Sequence, residues 1–125
     1  MLAPPKHNPT GDLVDYEELM AMYRDSLRDK RGVVERLWSR LRGDDGGEAE
    51  VAALRSCLHH LAGSAGSYGY PLLGENARRL ERALASWLAT TAELRTPSTA
   101  LARRHLGDFE EVTHALDMAI GTESA

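Results

Sequence analysis

The segment CLHHLAGSAGSYG, residues 57–69, lies at the end of an amphipathic pattern that begins near residue 48. With about 3.6 residues per helical turn, the apolar residues of this region fall within an arc of about 80°. We predict that this stripe is buried, and its members are Val51, Leu54, Leu58, Leu61 and Ala65. His59 and His60 lie on opposite flanks, at about 120° and 140° from the centre of the stripe. Both imidazoles are therefore predicted to reach solvent.

The residues that follow His59 on its own side of the helix are small. Ala62, Gly63 and Gly66 come one and two turns later and carry almost no side chain. Each glycine inside a helix costs roughly 0.5–1 kcal/mol relative to alanine, so a compensating benefit is expected for the pair. One interpretation is close helix packing, or fraying near a helix C-terminus. The other is that the surface of a second protein must come within bonding distance of His59.

From His59 onwards the chain reads His59-x-Leu61-Ala62-Gly63-Ser64-Ala65-Gly66-x-x-Gly69, continued by Leu72/Leu73, Ala77, Leu80 and Glu81. This combination resembles the active-site region of histidine-containing phosphotransfer (HPt) domains. The resemblance covers about 30 residues closely and, through helix count and lengths, residues 13–120 loosely. One position departs from the usual pattern, because many members of the family carry a lysine three residues after the histidine and this chain has Ala62.

The resemblance implies a phosphocarrier of a two-component phosphorelay. His59 would accept a phosphoryl group at Nε2 from the aspartyl phosphate of a receiver domain and pass it to another receiver domain. The implied partners are receiver domains of response regulators, including that of a hybrid histidine kinase. The chain shows no nucleotide-binding pattern that would let an imidazole use ATP, so we expect no kinase activity. We expect no cofactor of its own, and Mg²⁺ only in the partner receiver domain.

Several residues are candidates for contacts around His59. Glu81 matches the polar position that family members place near the histidine and is predicted to orient the ring, although an exposed, solvated glutamate is an equal alternative. Because Ala62 is uncharged, the phosphoryl oxygens would depend on Arg55, on Arg78 or on water.

Partner docking is assigned to residues on the first two helices, namely Leu19, Met22 and Ser56. Leu19 and Met22, like Trp38, lie off or beside the apolar stripe of the first helix. Ordinary packing inside a bundle is the alternative interpretation for these apolar side chains.

Composition limits the class of protein. The 125 residues suit one domain, and 42% hydrophobic, 27% charged and 6% aromatic residues are typical of a helical bundle. The formal charge of −4 gives no indication of nucleic-acid binding. Cys57 is the only cysteine, so no intramolecular disulfide forms and a reducing cytoplasm is expected. No apolar run is long enough to cross a membrane, and no secretion signal is evident.

The pattern of apolar residues divides the chain into four helices. Residues 1–11 form a predicted mobile lead-in, 12–121 the bundle domain and 122–125 a frayed end. The first helix, capped by Asp12 or Asp15, runs to about residue 42, with a kink near Gly32 if it is not continuous. The others are predicted at about 48–67, at about 71–94 and from Pro97 to about 121. The expected fold is an all-α, antiparallel up-and-down four-helix bundle, acting as a monomer.

Three other interpretations are compatible with the sequence. The chain could be a degenerate HPt domain that docks or sequesters a response regulator without being phosphorylated, with Ala62 as the mark of decay. It could be the phosphotransfer portion of a histidine kinase, although His60 stands where such sites usually carry an acidic base. It could also be a structural bundle. We predict no metal site, because His59 and His60 point about 100° apart on a helix and cannot chelate one ion without further ligands.

Overall fold

The computed structural model describes residues 9–43 and 46–121, and the side chains from residue 15 onwards. The helices are α1 (Pro9–Arg42), α2 (Glu48–Ser64), α3 (Pro71–Ala89), α4 (Ser98–Arg104) and α5 (Leu106–Gly121). Short 3₁₀ turns occur at Gly66–Tyr68 and Ala92–Leu94. The predicted all-α bundle with antiparallel packing is confirmed. The ends predicted to be mobile or frayed, residues 1–8 and 122–125, lie outside the described residues.

The core lies between the long helices, and α2 packs most extensively against α3. All five members of the predicted α2 stripe are fully buried. Trp38 of α1 is also buried and stacks on Phe109 of α5, with ring centroids 4.5 Å apart. The packing interpretation is therefore correct for Trp38, whereas Leu19 and Met22 are exposed.

Helix α1 begins earlier than the sequence pattern predicts. Its first residue is Pro9, so residues 9–11 of the expected lead-in are helical, and neither Asp12 nor Asp15 is the cap. Proline suits the first turn of a helix because its missing N–H has no partner there in any case. The helix is also continuous through Gly32. A kink was expected there only for an interrupted helix.

Side-chain pairs hold α1 together around Gly32. Lys30 Nζ donates to Ser26 Oγ at 2.8 Å, and Arg31 Nη1 donates to Glu35 Oε2 at 2.8 Å. Arg31 also binds Asp117 of α5 through Nε, at 2.6 Å from Oδ1. Contacts between residues one turn apart stabilise a helix and offset the cost of one glycine.

Helix α3 ends at Ala89 rather than near residue 94. Arg95 supports this end, because its guanidinium donates to two carbonyl groups of the last turn and to that of the residue after it. Its Nε lies 3.1 Å from Trp87 O and 2.8 Å from Thr90 O, and its Nη2 lies 2.9 Å from Leu88 O. Unpaired carbonyls at a helix C-terminus are satisfied in this way by a residue beyond the helix.

The last predicted helix consists of two helices, so the described bundle contains five rather than four. The break is at His105, whose backbone leaves the helical region at φ −110° and ψ 22°. His105 Nδ1 lies 3.2 Å from Asp108 Oδ2, a side-chain contact that spans the break. No helix among residues 9–43 and 46–121 is long and apolar enough to span a membrane.

Candidate functional site

His59 projects from the outer face of α2. Its side chain is 64% exposed, while Leu58 and Leu61 on the inner face are fully buried. The prediction that this imidazole reaches solvent is confirmed. His60 is exposed as well, but the two rings lie 6.3 Å apart at an angle of 61°. In the described part of the chain, no three side chains of His, Cys, Asp or Glu converge to hold a metal ion.

The ring of His59 is held from the neighbouring helix by Glu81. Glu81 Oε2 lies 2.9 Å from His59 Nδ1, and the side chain of Glu81 is only 13% exposed. The solvated alternative for Glu81 is therefore wrong. An ionised carboxylate can only accept hydrogen bonds, so this contact places a proton on Nδ1. In the neutral ring, Nε2 then carries the lone pair and is the nucleophilic atom.

Arg55 contacts the same carboxylate oxygen. It lies one turn before His59 on α2, and its Nη2 is 3.5 Å from Glu81 Oε2. Arg55 Nε is buried and has no hydrogen-bond partner within the described residues. The structure thus brings His59, Glu81 and Arg55 together, with the carboxylate between the ring and the guanidinium.

The glycines beside His59 do not take part in packing. A Cβ atom added at Gly63 or at Gly66 would find no other atom within 4 Å. The interpretation of close helix packing is therefore wrong for these two residues. They leave open space next to His59, on a surface that the rest of the described chain does not cover.

The close approach of α2 and α3 is instead at Gly74, which the sequence reasoning overlooked. A Cβ at Gly74 would lie 3.5 Å from Ala62 O and 3.6 Å from Ala65 Cβ. A methyl group fills that space, and a larger side chain would separate the helices. The available signal was a glycine in the first turn of a helix whose other early positions are apolar.

The turn after α2 directs α3 back along it. Gly69 adopts the left-handed conformation with φ 91°, and Pro71 is the first residue of α3, both as predicted. Helix α2 itself ends at Ser64, three residues before the predicted end. Tyr23 of α1 secures this turn, because its hydroxyl lies 2.9 Å from Ser64 Oγ and its ring stacks on Tyr68 at 3.9 Å.

Arg78 approaches the site from α3. It is exposed, and its Nη2 donates to the carbonyl oxygen of Ala62 at 3.4 Å. Ala62 follows His59 by three residues, which places this carbonyl in the next turn of the helix that carries the imidazole. The guanidinium of Arg78 therefore lies at the edge of the same open surface.

The site combines an exposed histidine on a helical bundle, a carboxylate bound to one of its ring nitrogens, and open space at the glycines that follow it. The family model described as Hpt domain matches residues 18–120. The chain belongs to the Hpt domain family. Comparisons with curated proteins and with solved structures gave no match.

Membership of the Hpt family decides part of the function. Hpt domains transfer phosphoryl groups through histidine in phosphorelays, interact with receiver domains and are intermediates rather than kinases. The matched Hpt domain is therefore a phosphotransfer intermediate, and the interpretation as part of a kinase is not supported.

The residues expected to dock a partner are all on the surface of this Hpt domain. Met22 is 66% exposed and Leu19 45% exposed, both on α1 near the turn that Tyr23 secures. Ser56 is exposed on α2, three residues before His59 and therefore on the same face.

Proposed function

We propose that this Hpt domain is a phosphocarrier in which Nε2 of His59 accepts a phosphoryl group from one receiver domain and passes it to another. The observation that carries the proposal is the hydrogen bond between His59 Nδ1 and Glu81, which leaves Nε2 as the unprotonated atom of an exposed ring. The domain is proposed to act as a monomer, with Leu19, Met22 and Ser56 in the docking surface.

The transfer exchanges one bond to phosphorus for another. The lone pair of Nε2 attacks the phosphorus atom, an N–P bond forms, and the bond from phosphorus to the aspartyl oxygen breaks with its electrons remaining on the carboxylate. Nδ1 keeps its proton throughout, so positive charge develops on the ring. The carboxylate of Glu81 stabilises that charge from the Nδ1 side. The same steps in reverse deliver the phosphoryl group to a second receiver domain.

The metal ion for the transfer is proposed to come with the partner. Mg²⁺ is proposed to belong to the receiver domain, where it neutralises charge on the phosphoryl oxygens, and the Hpt domain needs no cofactor of its own. In-line attack requires the reacting atoms to approach within about 3–3.5 Å. The open space at Gly63 and Gly66 permits this approach between two folded domains.

The direct experiment follows radiolabelled phosphate from a phosphorylated receiver domain to this chain. We expect label on the unaltered chain and none on a His59→Gln variant. His60→Gln is the matched control, because His60 is the adjacent exposed histidine and should accept no label. Equal labelling of the unaltered chain and the His59→Gln variant would refute the proposed function.

A second function, docking without phosphorylation, is favoured by one observation. The residues that follow His59 on the open surface, Ala62, Gly63 and Gly66, provide no positive charge for a phosphoryl group. A degenerate domain of this kind would bind a receiver domain in a pull-down or by calorimetry, yet would acquire no label at any time. Labelling of His59 excludes it.

A further inference from the structure

A phosphoryl group on Nε2 needs a compensating charge. Such a group carries about two negative charges near neutral pH. On the opposite ring nitrogen lies Glu81, which is itself acidic and cannot compensate for them. The residues that follow His59 at the open surface are uncharged: Ala62 and Gly63 in α2, and Gly66 in the turn after it. The compensating side chain must therefore come from elsewhere on the chain or from the partner.

Of the two arginines at the site, Arg55 is already committed to Glu81. Its Nη2 lies 3.5 Å from the charged oxygen that also binds His59 Nδ1, and its Nε is buried although the side chain as a whole is 44% exposed. Movement of this guanidinium towards Nε2 would take a contact away from the carboxylate that orients the ring. We therefore assign Arg55 as a positioning residue that acts through Glu81.

Arg78 has the opposite character. Its contact is to a neutral carbonyl, that of Ala62, at 3.4 Å, which is long for a hydrogen bond, and the side chain is exposed. An exposed donor that leaves a carbonyl can be replaced there by water at little cost. A planar guanidinium can also bind two phosphoryl oxygens at once.

We infer that Arg78 of α3 is the catalytic cation that contacts the phosphoryl group in transit, taking on the charge that α2 does not provide after His59. This inference rests on the proposed function of His59 as phosphoacceptor. On phosphorylation the guanidinium exchanges the carbonyl of Ala62 for the phosphoryl oxygens on His59, the residue one helical turn before Ala62.

The first test measures the initial rate at which phosphoramidate, a small phosphoryl donor that needs no docking surface, phosphorylates His59. Arg78→Gln should react about tenfold more slowly than the unaltered chain, because one charge-assisted contact is lost. Arg82→Gln is the matched control, since Arg82 is an exposed arginine one turn further along α3. It should stay within about twofold of the unaltered chain. Equal rates for Arg78→Gln and Arg82→Gln, fast or slow, would overturn the inference.

A second test relocates the charge. The double variant Ala62→Lys/Arg78→Gln places a cation at the position whose carbonyl Arg78 now contacts, and it should recover most of the lost rate. Recovery would support a charge requirement at this point, and a double variant as slow as Arg78→Gln would overturn it. Circular dichroism on every variant checks that the bundle is intact.

The two proposals fail in different ways. If neither phosphoramidate nor a phosphorylated receiver domain labels His59 in the unaltered chain, the proposed function itself is wrong. If His59 is labelled and Arg78→Gln reacts as fast as the unaltered chain, only the role of Arg78 is wrong.

Discussion

The two ends of α2 are built in opposite ways. Before its N-terminus, Gly46 lies against the backbone of α1, and a Cβ added there would be 2.6 Å from Arg40 O and 2.7 Å from Leu41 Cα. Ser98 Oγ adds a hydrogen bond to Gly46 O at 3.3 Å. Near its C-terminus, Gly63 and Gly66 have no other atom within 4 Å of an added Cβ.

This difference shows that glycine serves two purposes around one helix. At the closed end, before Glu48, a missing side chain lets the chain approach its own backbone. At the open end, beside His59, a missing side chain leaves room for another molecule. Only the first kind of glycine contributes to stability, and only the second is expected to affect phosphotransfer.

The largest effect on stability is expected at the closed end. Gly46→Ala should lower the free energy of unfolding by about 3 kcal/mol, because the added methyl group collides with backbone atoms that cannot move away alone. Urea denaturation measures the change. The control is Gly47→Ala, since a Cβ there meets only the end of the Glu50 side chain at 3.7 Å. Equal stability of the two variants would show that the closed end is not closely packed.

At the open end the expected effect is on phosphotransfer. Gly63→Phe should slow labelling from a phosphorylated receiver domain by at least about tenfold, which corresponds to about 1.4 kcal/mol in the barrier, because the ring occupies the approach to Nε2. Its unfolding midpoint should change little. Gly107→Phe provides the comparison, because Gly107 also has open space around it but lies on α5. Unimpaired transfer by Gly63→Phe would mean that the receiver domain approaches from another side.

A smaller substitution at the same position separates access from helix stability. Gly63→Ala should raise the free energy of unfolding by about 0.5 kcal/mol, because alanine is the better helix former and meets no obstacle. Transfer should be much less affected than in Gly63→Phe. A loss of stability on this substitution would indicate packing at Gly63 that the open space does not suggest.

The smallest effect on stability is expected for Asp117 of α5, which lies on neither end of α2. The hydrogen bond from Arg31 lowers the pKa of Asp117 below its ordinary value of 3.8. A lowered pKa in the folded state stabilises the fold above that ordinary value, and the contribution is lost as the pH falls through the folded pKa. Asp117→Asn should therefore cost only a few tenths of a kcal/mol at pH 7, because the pair is largely exposed.

Thermal unfolding at pH 7 and at about pH 2 checks this expectation, since the difference between Asp117→Asn and the unaltered chain should vanish in acid. Phosphotransfer should be unchanged in the variant. A difference in stability that grows in acid would contradict the assigned direction of the pKa shift.

Local pattern was sufficient for much of this molecule. The repeat of apolar residues along α2 predicted which side is buried and that His59 is exposed, because a helix converts spacing along the chain into direction. Gly69 and Pro71 were predictable for the same reason, since one residue determines each local conformation. The resemblance in residues 57–81 indicated the family that the match over residues 18–120 confirmed.

Side-chain contacts that the apolar repeat does not encode decided the rest. Helix α3 ends where Arg95 reaches its carbonyls, and the helix predicted after Pro97 breaks where His105 meets Asp108. Neither event changes the apolar repeat, so periodicity could not reveal them. The packing of α3 against α2 brings Glu81 to Nδ1 of His59. The sequence by itself determined that an imidazole faces outward, and the tertiary structure decided that its Nδ1 is hydrogen-bonded to a carboxylate, because that carboxylate comes from another helix.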